Sequence, residues 1–149
     1  MKIAVGTDME AHVPQLVVET LGKLGHVVTR FGALVTPHAP WPKVAVEVAQ
    51  EVAEGRADMG VLFCWTGTGI SLAANKVKGI RAALCNDAET AAGARKWNDA
   101  NVLAMSLRST SEQVAKEILE AFLQTSPSDD AEDVVCLEYL ERIENERFK

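Results

Sequence analysis

Residues 59–69 read MGVLFCWTGTG, an apolar run at Met59–Cys64 followed by a loop of small residues. A run without polar alternation is typical of a strand that is buried on both faces of a sheet. The loop begins with a thiol, Cys64, and carries a bulky side chain, Trp65, among Gly and Thr residues. Loops of this composition let a ligand approach the backbone closely. Residues 59–69 therefore predict both a parallel sheet and a ligand position.

Four further apolar runs predict the other strands of this sheet: Lys2–Thr7, His26–Gly32, Ile80–Cys85 and Asn101–Ser106. Segments with helical spacing follow the strands: Val13–Leu24, Val44–Ala53, Thr68–Lys76, Ala88–Lys96 and Ser111–Leu123. This alternation predicts a three-layer α/β/α, doubly wound (Rossmann-like) sheet of five parallel strands. Ligands bind such sheets beyond the carboxyl ends of the strands, where the strand order reverses. We therefore expect the site in the loops that hold Asp8 and Cys64.

The composition shifts after residue 124. We expect residues 1–124 to form the α/β domain and residues 125–149 to form a linker and an extra amphipathic helix, Val134–Phe148. Its apolar stripe comprises Val135, Tyr139, Leu140 and Ile143. This stripe predicts either a dimer contact or docking on the helix's own domain, and the pattern does not separate the two.

The 149 residues carry a formal charge of −6, so the composition offers no basic footprint for nucleic acid or anionic lipid. No apolar run approaches the roughly 18 residues of a membrane span, and the first residues lack a signal-peptide pattern. Cys64, Cys85 and Cys136 are widely spaced, which argues against a disulfide framework or a zinc site. These features predict a cytoplasmic protein.

Cys64 lies between a predicted strand end and a predicted helix start. Backbone N–H groups and the helix dipole there would stabilise negative charge on a thiolate or on a bound oxyanion. Three interpretations remain open on the residues alone: a phosphate cradle, a plain tight turn, and a buried structural thiol.

Three segments resemble the ribose-5-phosphate isomerase type B family, which includes the galactose-6-phosphate isomerase subunits. They are KIAVGTD at 2–8, CWTGTGISLAANKVKGIRAALCND at 64–87 and RKWNDANVLAMSLR at 95–108. The family pattern in the middle segment is CGTGxGxSxAANKxxGIRAAxC, which matches without gaps. The likeness runs from Met1 to about Leu123 and faintly beyond.

The resemblance implies aldose–ketose isomerisation through a cis-enediolate, without a metal or organic cofactor. It makes Cys64 the base that moves a proton between C1 and C2, with Thr66 and Asp8 as further catalytic residues. The loop residues Gly67, Thr68 and Gly69 would hold the enediolate oxygen. Preorganised donors of this kind are what enolisation requires. One branch of the family has a Glu base where this chain has Ile70, so the chain resembles the thiol branch.

The chain departs from the family at its sugar-binding positions. Met9 replaces a His, and Trp97, before Asn98, replaces the His thought to open the sugar ring. Trp41 replaces a Tyr, and Trp65 replaces the second Gly of the turn. A single Trp is most simply core packing, but three at such positions predict an aromatic, narrower pocket. We therefore count these four residues and Asn98 as substrate-binding.

The basic residues that grip phosphate in the family also differ. Aligned from the C-terminal helix, two family arginines fall on Glu132 and Cys136, and no arginine lies between Arg108 and Arg142. From Asp129 to Lys149 there are eight acidic and three basic residues, which would repel a phosphate dianion. The remaining candidates for a carboxylate partner are Arg81, Arg95, Lys96 and Arg108, each of which could equally be a solvated surface charge.

Opening a cyclic sugar would need a replacement acid or base. His12 and His38 lie near the predicted pocket, although a surface role is an ordinary alternative for each. A substrate that is already open-chain, such as a tetrose or a linear keto acid, would need neither.

Together these observations predict an isomerase of a non-phosphorylated small sugar or sugar acid. The alternatives are a non-catalytic partner subunit of a sugar isomerase and a sugar-binding module. The resemblance further implies a homodimer or tetramer with shared active sites, in which residues 95–101 face Cys64 of the neighbouring chain.

Overall fold

The structure, a computed structural model, describes residues 1–147. Five strands alternate with five helices and a sixth helix follows, which confirms the predicted fold class. The strands are β1 (Lys2–Thr7), β2 (Val27–Gly32), β3 (Met59–Cys64), β4 (Ala82–Leu84) and β5 (Val102–Ser106). The helices are α1 (His12–Lys23), α2 (Trp41–Ala53), α3 (Thr68–Ala74), α4 (Ala88–Asn98), α5 (Glu112–Gln124) and α6 (Ala131–Arg147).

The strands form one parallel sheet in the order β2-β1-β3-β5-β4. The chain leaves β1 towards β2 on one side and returns to β3 on the other, so the strand order reverses between β1 and β3. The register pairs Thr7 with Phe63 and Cys64 with Ser106. The loops after β1, β3 and β5 therefore meet at one edge of the sheet.

The helices cover the two faces of the sheet unequally. Helices α1, α4 and α5 pack on the face that carries Phe63, while α2 and α3 pack on the face that carries Leu62 and Cys64. Helix α2 approaches the strands closely because glycines face it: a Cβ at Gly6 would lie 2.7 Å from Val44 Cγ1. This close packing holds the start of α2 beside the carboxyl edge of the sheet.

Most element boundaries differ from the prediction by one to three residues, and three of the differences bear on the site. Trp41 and Pro42 open α2 instead of ending the preceding loop, since proline is tolerated in the first helical turn. Helix α4 continues to Asn98, so Trp97 lies in its last turn. Strand β4 is reduced to three residues, which pair with β5 alone.

Helix α6 begins three residues before the predicted start, and Phe148, the predicted last residue, lies outside the described residues. None of its described residues is buried, and the apolar stripe is exposed in the single chain. The Glu144 carboxylate accepts a 2.6 Å hydrogen bond from the Gly79 N–H and ties α6 to the turn before β4. No helix within residues 1–147 has both the length and the apolar character of a membrane span.

Candidate active site

Cys64 is the last residue of β3, and backbone hydrogen bonds hold it in the sheet. Its carbonyl accepts a 3.0 Å hydrogen bond from the Leu107 N–H, and its pairing with Ser106 continues the ladder to β5. The residue is 6% exposed and belongs to the apolar cluster that includes Ile70 and Ala104. A thiol is thus held at the carboxyl edge of the sheet, where the sequence predicts it.

The loop after Cys64 is shaped by Gly67, which adopts φ +77°. A Cβ there would lie 2.5 Å from Leu84 Cδ1 and 3.1 Å from the Ser106 nitrogen, so only glycine fits. The hydroxyls of Thr66 and Thr68 lie 2.8 Å apart at the exposed rim of the loop. Within residues 1–147 no side chain caps α3, so its first N–H groups are available to a ligand oxygen.

Asp8 follows β1 directly and reaches the same edge, because Thr7 is in register with the residue before Cys64. Its Oδ1 atom is buried and has no hydrogen-bond partner within residues 1–147. Burial raises the pKa of the Asp8 carboxyl, and a hydrogen bond from its own backbone N–H partly offsets the shift. An unsatisfied carboxylate oxygen at the same edge as the thiol is suited to a substrate hydroxyl.

Two of the three tryptophans stand beside this loop. The Trp41 ring covers the first turn of α3, since a Cβ at Gly69 would lie 3.3 Å from Trp41 Cε3. Trp41 and Trp65 are 43% and 55% exposed, so neither is a core residue. Met9, also exposed, has its carbonyl fixed by a 3.0 Å bond from the Thr7 hydroxyl. The edge thus combines a thiol, a carboxyl, hydroxyls and exposed aromatic surface.

Trp97 and Asn98 lie elsewhere in the protomer. Helix α4 starts after β4 at the carboxyl edge and runs back to the start of β5, so its last turn is at the opposite, amino edge of the sheet. There Asn98 lines a groove with Arg81 and Leu140. The structure does not bring Trp97 or Asn98 together with Cys64 of the same chain.

The basic side chains fall into different roles. Arg95 is buried, which contradicts a solvated surface role, and it donates to Asp99 Oδ1 at 3.0 Å and to the Ala100 carbonyl at 2.6 Å. Arg81 donates to Asp99 Oδ2 at 2.8 Å. The Lys96 ammonium lies over the Trp97 ring at the amino edge. Arg108 is exposed, and its backbone N–H donates to the Trp65 carbonyl at 2.9 Å. Of these four basic residues, Arg108 alone is bonded to the loop of the candidate site.

Neither histidine is placed beside the thiol. The Nε2 atom of the exposed His12 lies 3.0 Å from a carboxylate oxygen of Glu112, which joins α1 to α5. His38 lines a cleft of about 440 Å³ with Arg30 and Lys43, between the end of β2 and α2. No group of three or more His, Cys, Asp or Glu side chains that could hold a metal ion occurs in the part of the chain that is described.

One residue of the site was not singled out from the sequence. The Ser106 hydroxyl donates a 2.9 Å hydrogen bond to the Trp65 carbonyl and fixes the loop to β5. Ser106 lies within the 95–108 segment that resembles the family, which is the signal that could have found it.

Comparison with known proteins supports one family. The family described as Ribose/Galactose Isomerase matches residues 3–135. Ribose-5-phosphate isomerase B of Escherichia coli is 40% identical over 123 residues, which cover 82% of this chain and 83% of that protein. Galactose-6-phosphate isomerase subunit LacB of Clostridium acetobutylicum is 36% identical over 138 residues, which cover 91% and 80% respectively.

The fold comparison agrees. The solved structure of Clostridium thermocellum ribose-5-phosphate isomerase B superimposes with a TM-score of 0.91 at 33% identity, covering 98% of this chain and 99% of the other. The match extends over the whole sheet and all the helices that position Cys64 and Asp8. The chain belongs to the ribose/galactose isomerase family of sugar isomerases.

Proposed function

We propose that this protein interconverts an aldose and a ketose through a cis-enediolate, and that its substrate is a small sugar or sugar acid without phosphate. The observation that carries the proposal is the meeting of Cys64, Asp8 and the 65–69 loop at one edge of the sheet. Enolisation needs one positioned base and donors where negative charge develops, and this edge offers both.

The proposed reaction moves one proton between neighbouring carbons. The Cys64 thiolate removes the C2 proton of the aldose, the C–H electrons form a C1=C2 double bond, and the charge develops on O1. The loop N–H groups of residues 67–69 stabilise that oxygen. The Thr66 hydroxyl and Asp8 carry the O2 proton to O1. The C2 carbonyl then forms, and the thiol returns its proton to C1, so no cofactor is consumed.

The absence of phosphate is inferred from charge. The relatives named above are isomerases of ribose 5-phosphate and galactose 6-phosphate, and D-erythrulose-4-phosphate isomerase of Pectobacterium atrosepticum is 38% identical over 125 residues, covering 83% of this chain and 82% of that protein. In this chain Arg81 and Arg95 are bonded to Asp99, while Arg108, whose backbone N–H is bonded to the Trp65 carbonyl, is the one of the three at the loop. One guanidinium suits a neutral polyol or a carboxylate better than a phosphate dianion.

The size of the substrate is inferred from the aromatic residues. Trp41 covers the start of α3 and Trp65 is exposed directly after the thiol. Aromatic faces pack well on the C–H face of a sugar, and they reduce the room for a long substrate. A short, open-chain substrate also removes the need for the ring-opening histidine that this chain lacks at Trp97.

We further propose that two chains share each site. Trp97 and Asn98 end α4 at the amino edge, where they cannot reach Cys64 of their own chain. A second copy that presents this segment to Cys64 would complete the pocket, and the exposed apolar stripe of α6 supports such a contact. The three free cysteines are consistent with a reducing cytoplasm, where we place the protein.

The test uses matched substrates. The protein would be incubated in D₂O with erythrulose and erythrulose 4-phosphate, with ribose and ribose 5-phosphate, and with a uronate, and exchange at C1 and C2 would be followed by NMR. We expect exchange in an unphosphorylated compound, its loss in Cys64→Ala, and its persistence in Cys136→Ala. Exchange only in the phosphorylated partners would refute the substrate class while leaving the isomerase activity.

One observation favours a second candidate function, a non-catalytic partner subunit. The relative in Clostridium acetobutylicum is named as a subunit, and this chain lacks histidines at Met9 and Trp97. A pure scaffold has no need of the thiol and its loop. Turnover by a homo-oligomer purified without any related chain would exclude this candidate.

A further inference from the structure

The Trp97 indole folds back onto its own helix. A Cβ at Gly93, one turn earlier on α4, would lie 2.7 Å from Trp97 Cζ3 and 2.9 Å from Cε3. Long side chains on a helix point towards its N-terminus and cover the residue four positions before them. Gly93 is buried while Trp97 is 51% exposed, so the ring forms a lid over the bare backbone of Gly93.

The backbone beneath the ring is held from several directions. Asp99, at φ +44°, ends α4 and bonds both Arg81 and Arg95. The Lys96 carbonyl accepts a 2.8 Å hydrogen bond from the Ser128 N–H. With the last turn of α4 fixed in this way, the side chain at position 93 decides where the indole lies.

We propose that Gly93 is a specificity-determining residue. By leaving room for the indole against α4, it keeps Trp97 retracted, and the space beyond Trp97 and Asn98 stays open for the substrate of the neighbouring chain's site. Glycine destabilises a helix interior relative to alanine. The room that Gly93 leaves for the indole explains why a glycine occupies this position. The inference rests on the proposed function, in which Trp97 lines that site.

A side chain at position 93 would displace the ring and would not break the helix. The clashing atoms, Cζ3 and Cε3, belong to the ring of a side chain that is half exposed, so the whole ring can swing outward by rotation about its side-chain bonds. The displaced indole would then occupy room that the substrate needs. The effect should therefore appear in substrate binding and should depend on the indole.

The experiment combines kinetics with fluorescence. Gly93→Ala, Trp97→Ala and the double variant are compared with Gly22→Ala, a control in α1 where an added Cβ meets nothing within 4 Å. We expect Gly93→Ala to raise KM about tenfold with kcat within about twofold. The double variant should match Trp97→Ala, and Gly22→Ala should match the unaltered protein.

Emission from Trp97 alone, measured in a Trp41→Phe/Trp65→Phe chain, should shift to longer wavelength with Gly93→Ala. Unchanged KM and emission would overturn the inference, and so would a tenfold KM increase that persists in the Trp97→Ala background. No turnover of any sugar by the unaltered protein would overturn the proposed function and the substrate role of Gly93 together. The emission shift would still show whether the Trp97 indole lies against Gly93.

Discussion

The Ser106 hydroxyl donates a 2.9 Å hydrogen bond to the Trp65 carbonyl and accepts a 3.2 Å bond from the Ser109 N–H. One buried hydroxyl thus joins the loop after β3 to the loop after β5, and the shape of the candidate site depends on it.

Replacing this hydroxyl should loosen the site. We expect Ser106→Ala to lower the free energy of unfolding by about 1–2 kcal/mol, because two bonds are lost while the Trp65 carbonyl keeps its bond from Arg108. Urea unfolding measures the loss of stability, and kcat measures the effect of the looser site on turnover. Ser109→Ala, at an exposed neighbour, is the control and should change neither; equal effects of the two variants would contradict the assignment.

The partly buried carboxyl of Asp8 should lower the stability of the folded protein at neutral and alkaline pH. Burial raises its pKa in the folded chain above the unfolded value of about 3.9. A raised carboxyl pKa means that the folded state loses stability, relative to low pH, as pH rises through that pKa. We expect Asp8→Asn to melt higher than the unaltered protein at pH 8, with little difference at pH 3.5, and to lose activity. A lower melting temperature at pH 8 would refute the interpretation.

The three thiols should react differently. Burial and the nearby Asp87 raise the pKa of Cys85 to about 11, so roughly a thousandth of it is thiolate at pH 8. We expect iodoacetamide at pH 8 to modify the exposed Cys136 first without loss of activity and to leave Cys85 intact. Inactivation should follow modification of Cys64, as mapped by peptide mass spectrometry, and a substrate should slow it. Inactivation that disappears in Cys136→Ser would show that modification of Cys136, and not of Cys64, causes the loss of activity.

Asp99 should stabilise the end of α4. Asp99→Ala leaves the buried Arg95 without its carboxylate, and we expect a loss of about 2 kcal/mol in urea unfolding. Asp99→Asn, which keeps one acceptor and tolerates φ +44°, should lose less. Asp129→Asn, at an exposed linker residue, serves as the control. Equal stability of all three variants would show that the ion pairs contribute nothing.

Shared sites predict complementation between two inactive variants. Cys64→Ala mixed with Trp97→Glu should regain activity after refolding together, since one of the two sites in a mixed dimer carries neither change. Random pairing would restore about a quarter of the original activity. Each variant mixed with itself is the control, and failure of the mixture to exceed these controls would place both residues in one chain's site.

Much of the fold could be predicted from the sequence. The apolar runs of β1, β3 and β5 are largely buried, as predicted, and β1 and β3 match their predicted bounds residue for residue. The errors lie at the ends of elements: β4 is shorter than its predicted run, and α2 begins earlier because Pro42 is compatible with both a loop and a first turn. The position of Cys64 followed from its place at a strand end, since the carboxyl ends of parallel strands share one edge.

The rest of the site depends on contacts that no local pattern carries. Arg95 reads as a surface charge on a polar helix, yet it is buried beside Phe122 because Asp99 and two carbonyls satisfy its guanidinium. The seat of Trp97 on Gly93 depends on side-chain direction. The placement of Trp97 at the far edge from Cys64 requires the length and direction of α4, which the prediction ended two residues early.

The separation of Trp97 from Cys64 has a consequence for how the protein would behave in a dilute solution. Where a pocket is completed by a second molecule, mass action governs its population. Below the dissociation constant of the pair, the rate would rise with the square of the protein concentration, and above it in simple proportion. The amount of protein in the cell would then set both how many sites exist and what fraction of them is complete.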